Sequence, residues 1–500
     1  MTQARALDRI SSGIPGLDTV LRGGFPSGGI HILQGPPGTG KTTLANQICQ
    51  HHAAGGGRAL YVTLLAETHA RMLLHLETMR FFDMSHLPDR ISYVSGFTAL
   101  ENEGLAGLIT LMRREIAAHR ATVAVLDGLV AAEDWAASDT EFKKFIHEMQ
   151  IQAALRGCTV LLLTTAKGQA VPPEHTMVDG IVELTDVRYQ SRTERALFVN
   201  KLRGSDYLPG RHPFRITPDG LVVYPRIEAA YRVTSEPDRV RTARIASGVA
   251  GLDAMIGGGL AEASVTALVG PSGVGKTTMG LQFLAQSTTE QPGLLFSFYE
   301  TPPRVLWKAE ALGIPLGPAV DRGDVEIIWQ PQSENIQDAL AHRLLDAIAE
   351  RKVRRFVLDG LGGLLEASVE PERISRFMAV LTNELRARGV TTVYTLETRD
   401  VIGSGIEMPV NGMSSLLENL IAMRYVEYHA RAQRLLSVLK TRDSAFDATL
   451  RRFTIGAGGI LLEGGFEHAE QILSGHARDR GGEATGPGGA GGQAPTPEGT

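Results

Sequence analysis

Two stretches of this 500-residue chain carry residues whose types and order suit one chemistry, the handling of nucleotide phosphates. Gly35 to Thr42 reads GPPGTGKT and Gly270 to Thr277 reads GPSGVGKT, both of the form G-x-x-x-x-G-K-T. Glycines let a backbone approach phosphates closely and turn its N–H groups inward as an anion cradle at a helix N-terminus. Gly35, Gly38 and Gly40 form one candidate cradle, and Gly270, Gly273 and Gly275 the other. Lys41 and Lys276 are placed to reach β- and γ-phosphates, and the hydroxyls of Thr42 and Thr277 to hold Mg²⁺. Thr43 and Thr278 follow at the expected helix starts. The spacing calls for ATP and Mg²⁺ at two sites.

A second metal-side group should be an acid ending a buried strand. Asp127 in TVAVLDG and Asp359 in RFVLDG fit, at matching positions. A lone Asp after a strand is more often a helix cap, but an upstream phosphate loop favours the metal reading. Hydrolysis further needs a group that orients or deprotonates water beside the γ-phosphate. Glu67 and Glu300, each closing an apolar run after a phosphate loop, are the candidates. The plain alternative is a solvated glutamate opening a helix.

The elements that position these residues occur twice. ISSGIPGLDTVLRGGFPSGGIHILQGPPGTGKTT and IASGVAGLDAMIGGGLAEASVTALVGPSGVGKTT repeat with Asp18 against Asp253 and Lys41 against Lys276. Glu67 against Glu300, Asp127 against Asp359 and Lys201 against Lys440 extend the match, and so long a period means duplicated domains rather than a solenoid. In the first unit the apolar runs are GIHILQG, ALYVTLL, TVAVLDG, TVLLLTT and GIVELTDV; in the second, SVTALVG, LLFSFYE, RFVLDG, TTVYTLE and LIAMRYVEY. Near-continuous apolar strands alternating with amphipathic segments predict a mainly parallel sheet covered on both faces, the α/β class, found twice. The expected boundaries are 1–228 and 243–474 for the two domains. A Gly-rich tail over 475–500 is too poor in apolar residues to offset its ordering entropy.

Composition narrows the function. A formal net charge of -5 argues against a binder of nucleic-acid backbone. Cys49 and Cys158, the two cysteines, have neither disulfide-framework nor metal-ligand spacing and read as buried hydrophobes. No run approaches the length of a membrane span, so a cytoplasmic protein without membrane contact is expected.

These features together resemble the KaiC family, the double-domain branch of the RecA superfamily, over residues 8 to 463. The resemblance rests on S-G-x-x-G-L-D before each phosphate loop, on the loops themselves, and on ERALFVNKLRGSDYLPGRHPFRITPDGLVVYP with its counterpart RLLSVLKTRDSAFDATLRRFTIGAGGILL. It implies two tandem RecA-like P-loop NTPase domains assembling as a homohexameric ring, with ATP between subunits and unidentified signalling proteins as partners. Lys201 and Arg203, and Lys440 and Arg442, would then reach a neighbour's γ-phosphate; an exposed basic turn is the alternative. Asp443 stands where a glycine is expected beside the second pair. Clock members carry two adjacent glutamates after the second strand, whereas this chain has Ala66-Glu67 and Tyr299-Glu300. They also phosphorylate an adjacent hydroxyl pair in the second domain, which makes Ser414 and Ser415 autophosphorylation candidates. Ser415 with Glu418 also spells a capping box, and Thr176 with Asp179 a similar acidic cap. Two rival readings are a RecA-type DNA-processing ATPase and an ATP-binding scaffold with little hydrolysis. Against the first, the plausible axial loop AAEDWAASDTEFKK offers phosphates little beyond Trp135 and carries Asp139.

Overall fold

The computed structural model describes residues 7–64, 69–165, 173–237, 241–398, 413–428, 431–442, 444–465, 469–470 and 478–479. Of the expected tail, Arg478–Asp479 bridges to Ala469–Glu470 and the remainder lies outside the described residues.

The first unit folds around nine strands: β1 (Ile30–Gln34), β2 (Ala59–Thr63), β3 (Ile91–Ser95), β4 (Val123–Asp127), β5 (Thr159–Thr164), β6 (Gly180–Tyr189), β7 (Arg192–Leu202), β8 (Arg211–Thr217) and β9 (Gly220–Val223). Their order across the sheet is β9-β8-β7-β6-β1-β5-β4-β2-β3. Every residue of β1, β2, β4 and β5 is buried, which is why these strands read as unbroken apolar runs. Helices α1 (Lys41–Ala54), α2 (His69–Leu76), α3 (Phe97–His119) and α4 (Asp139–Arg156) carry the crossovers. The stretch read as an axial loop is largely helical. Leu129–Asp134 is a short helix, Ser138 caps α4 by accepting from the Glu141 N–H, and Glu141 accepts from the Ala137 N–H in return. That reciprocal cap is the signal the loop reading overlooked.

The second unit repeats the plan with β10 (Val265–Gly270), β11 (Gly293–Ser297), β12 (Val325–Trp329), β13 (Arg355–Asp359), β14 (Thr391–Glu397), β15 (Asn419–Tyr428), β16 (Arg431–Thr441), β17 (Arg451–Gly456) and β18 (Gly459–Gly465). The order is β12-β11-β13-β14-β10-β15-β16-β17-β18, the same topology read from the other edge. Its helices include α5 (Lys276–Leu284), α6 (Pro302–Ala311), α7 (Gln337–Arg351), α8 (Leu361–Glu366), α9 (Ile374–Ala387) and α10 (Met413–Leu416).

Strand direction decides what meets what. β1 runs parallel to β5 and β6, so the phosphate loop leaves β1 at the carboxyl edge of the sheet. β7 returns antiparallel to β6 and pairs Leu202 with Gly180 at the amino edge. The second sheet does the same, pairing Thr441 with Asn419. Each domain therefore carries its phosphate loop and its basic K-x-R segment at opposite edges of one sheet.

The units are joined by buried charge. Arg373 pairs with Glu228 at 2.7 Å and with Asp338 at 3.0 Å, and the Ile227 N–H donates to Asp338 at 3.0 Å. Ile227 itself packs within the apolar core of the second unit. Arg192, opening β7, donates to the carbonyls of Asn335, Glu366 and Ala367, closing the C-terminal end of α8. Among the described residues no helix is long and apolar enough to cross a membrane.

Candidate active sites

Each phosphate loop is shaped by backbone approach. A Cβ on Gly35 would meet the Leu184 carbonyl oxygen at 2.2 Å, and one on Gly270 the Met423 carbonyl oxygen at 2.1 Å, so only glycine lets the loop leave the sheet there. Gly40 and Gly275, with φ of 100° and 122°, turn the chain into α1 and α5. The helices begin at Lys41 and Lys276, with Thr42, Thr43, Thr277 and Thr278 in their first turns and Gly38 and Gly273 at the loop tips.

Lys41 Nζ donates to the carbonyls of Gly35 at 2.6 Å and Pro36 at 2.9 Å; Lys276 Nζ donates to those of Gly270 and Pro271, both at 2.7 Å. Each ammonium thus curls over its own loop, where a phosphate cradled by the loop would meet it. Burial lowers the pKa of both lysines, opposed by Asp127 at the first and by Glu397 and Asp359 at the second.

The strand acids sit beside the loop hydroxyls. Thr42 Oγ1 donates to Asp127 at 3.0 Å, and Thr277 Oγ1 lies 3.1 Å from both oxygens of Asp359. Both carboxylates are buried, and burial raises the pKa of Asp359 against the hydrogen bonds it accepts from Thr395 and Thr277. A hydroxyl and one carboxylate suit Mg²⁺, which keeps waters and takes phosphate oxygens for its other positions. Among the described residues no group of three His, Cys, Asp or Glu side chains forms a metal cluster.

Two hydroxyls that motif reading passed over complete these acids. Tyr61 donates to Asp127 at 2.7 Å and Thr395 to Asp359 at 2.8 Å. The Tyr61 hydroxyl is fully buried, which pushes its pKa well up and keeps it a donor.

Glu67 lies outside the described residues. Glu300 sits three residues beyond the end of β11, its N–H donating to Ser297 Oγ at 3.2 Å and its carboxylate paired with Lys308 of α6. Ser272, Lys276, Thr277, Glu300, Lys308 and Asp359 line one cavity of about 980 Å³, within the size of ligand pockets. A second cavity, about 720 Å³ at the domain joint, is lined by Arg215, His342 and Arg343 and contains no loop residue.

The basic pairs lie elsewhere. Lys201 Nζ donates to the carbonyls of His175 and Thr176 at 2.9 and 3.2 Å, and Arg203 to that of Thr176 at 2.8 Å. Lys440 holds the carbonyls of Ser414 and Leu417, at 2.6 and 2.8 Å, and Arg442 that of Ser415. Arg203 and Arg442 are exposed, while Asp443 lies outside the described residues. Ser414 and Ser415 are exposed on α10, against this second pair. The capping box expected from Ser415 and Glu418 does not form. Glu418 accepts from the Val265 N–H at 2.8 Å and pairs with Arg386, and α10 ends before it. Asp179 clamps the Ile30 N–H in the first domain in the same way, at 3.0 Å. These acids anchor the first central strand of each sheet rather than a helix.

The S-G-x-x-G-L-D segments have a local task. Asp18 and Asp253 each accept the backbone N–H of the motif's serine, Ser12 or Ser247, at 2.9 Å, folding the entry loop onto its short helix.

Fold and loops define the class: a tandem RecA-like P-loop nucleotide-binding protein with two complete loop–hydroxyl–acid sets. The sequence pattern of the family described as "ATPase: KaiC" matches residues 10–228 and 245–464. The chain belongs to the KaiC family of ATPases. It is 27% identical over 493 residues to the circadian clock oscillator protein KaiC of Picosynechococcus sp., covering 94% of this chain and 92% of the relative. Against the proteins of that name from Acaryochloris marina and Nostoc sp. the identities are 26% and 25%, with 93% and 95% of this chain covered and 91% and 92% of the relatives.

Proposed function

We propose that this chain assembles as a homohexameric ring that slowly hydrolyses Mg·ATP at both sites, each completed by the neighbouring subunit, and reports its nucleotide state to protein partners. The observation that carries this reading is the separation of phosphate loop and basic pair. A strand of five residues spans roughly 17 Å. Lys201 and Arg203 therefore stand too far from their own loop at the opposite edge, and Lys440 and Arg442 likewise. They complete a site only if another copy presents its loop to them, and a closed ring of head-to-tail interfaces satisfies every copy. In each site the loop and its lysine hold the phosphates, the threonine and strand acid hold Mg²⁺, and Glu67 or Glu300 orients water. The neighbour's cations offset the charge that develops on the γ-phosphoryl group. Mg²⁺ supplies electrostatic stabilisation of the β- and γ-phosphate oxygens.

Autophosphorylation is a second reading, favoured by the exposure of Ser414 and Ser415 against Lys440 and Arg442. A phosphoryl group could come there from a neighbour's ATP. Mass spectrometry of the 413–419 peptide after incubation with Mg·ATP tests it; no phosphate there ends it.

The main test is ADP release by wild type, Lys41→Ala, Lys276→Ala and the double variant, with assembly followed by light scattering. Turnover divided between the single variants and lost in the double supports two hydrolytic sites. Nucleotide-dependent assembly without ADP release would make the chain a scaffold instead, and DNA-stimulated turnover with steep salt dependence a nucleic-acid motor.

A further inference from the structure

In the second domain the candidate water-orienting glutamate, Glu300, is held by a lysine on the helix that follows it. Lys308 projects from α6, and its Nζ is ion-paired with Glu300 Oε1. Both side chains are partly shielded, at 33% and 26% exposure, inside the cavity that holds Lys276, Thr277 and Asp359. Glu300 Oε2 is buried and makes no hydrogen bond among the described residues. The glutamate is therefore fixed at two points, its N–H on Ser297 and one oxygen on Lys308, with the other oxygen uncommitted. Carrying the Glu67–Glu300 repeat register forward puts His75 of α2 where Lys308 stands, and His75 is exposed.

We propose that Lys308 is a positioning residue for hydrolysis in the second domain: through Oε1 it holds the Glu300 carboxylate at the wall of the nucleotide cavity, where it orients the attacking water. The inference rests on the reading of that domain as a hydrolytic site. In the step itself the water oxygen forms the new bond to the γ-phosphorus. The bond from that phosphorus to the β–γ bridging oxygen breaks, its electron pair leaving with ADP. The water proton passes to the Glu300 carboxylate and then to solvent, which restores the carboxylate. A carboxylate anchored through one oxygen has already lost the rotational freedom that the transition state would otherwise remove. A charge-assisted contact supplies that anchor more firmly than a neutral one. Because a partly exposed ion pair adds little to stability, its loss should leave the fold intact.

The experiment uses full-length protein carrying Lys41→Ala, so that only the second site turns over, with Lys41→Ala/Lys276→Ala as the blank. Lys308→Met and Lys308→Arg are added separately, and ADP release is followed against ATP concentration. We expect Lys308→Met to lower kcat about 10-fold with KM for ATP changed less than about two-fold, and Lys308→Arg to recover at least about half of the lost rate. Coincident melting curves would exclude misfolding as the cause. An unchanged or increased kcat in Lys308→Met would overturn the proposal, as would a raised KM with kcat intact, which would make Lys308 a phosphate ligand. If Lys41→Ala alone releases no ADP above the blank, the hydrolytic reading of this domain fails first, visibly apart from any change at Lys308, and the inference falls with it.

Discussion

The two nucleotide sites share a frame and differ in what steadies it. In the first, the strand acid Asp127 takes an extra hydroxyl from Tyr61 on β2; in the second, Asp359 takes one from Thr395 on β14. These strands flank the acid's own strand on opposite sides. By register, Leu295 stands in the second sheet where Tyr61 stands in the first, and Leu163 in the first where Thr395 stands in the second. What both sites require is an oriented carboxylate, and a donor from either flank supplies it. The glutamate side differs too. Lys308 and Glu397 lie around the second loop, where the first unit has His75 and Thr165 at the corresponding places.

The largest effect that could break this comparison is expected from the glutamates. Glu67→Gln in a Lys276→Ala background and Glu300→Gln in a Lys41→Ala background should each lower kcat for ADP release by about 100-fold or more. A rate retained in only one would mean the two sites do not share a water-orienting group. Next come the hydroxyls. Tyr61→Phe should raise the Mg²⁺ concentration needed for half-maximal turnover about 10-fold at the first site alone, and Thr395→Val at the second alone, as is usual for partners of metal ligands. A cross-effect, read in the same single-site backgrounds, would show that the hydroxyls act through the domain joint instead.

The smallest effect concerns that joint. Burial and the neighbouring Asp338 raise the Glu194 carboxyl to about 7, against the pull of Arg192 and Arg373. Its folded value lies above its unfolded one, so the folded chain binds the proton more tightly. Stability should then fall as pH rises from about 4.5 to about 7 and level off beyond. Glu194→Gln should melt roughly 2–4 °C above wild type at pH 8, with the gap closing near pH 5. Parallel melting across that range would mean that Glu194 is solvated in the assembled protein.

Much of this arrangement was legible in the linear chain. Lys41, Thr42, Asp127 and their counterparts stand at the strand and helix ends the motifs called for, because a phosphate loop needs a strand before it and a helix after it. The five apolar runs of each half became parallel strands, while the parallel edge strands β3 and β12 went unread. Tyr61 and Thr395 were not legible, since they lie 66 and 36 residues from the acids they serve and reach them only through sheet pairing. Lys308 belongs to no motif and meets Glu300, eight residues before it, only through the fold of the β11–α6 connection. The edge occupied by the K-x-R segments followed from the antiparallel return of β7 and β16, which no motif encodes. Glu418 misled because S-x-x-E fits a cap equally well when the glutamate is needed by a strand.

Strand β7 has a role that its place in the sheet does not convey. At one end Arg192 grips the last carbonyls of α8, the helix that follows Asp359 in the second site; at the other end stand Lys201 and Arg203. Eleven residues of extended chain between them span roughly 35 Å, paired with β6 from Arg192 to Leu202 save a bulge at Asn200, and with β8 over Arg195–Phe198. One continuous strand of the same chain therefore links the basic pair of the first domain to the C-terminal end of α8, on the nucleotide-loop side of the second.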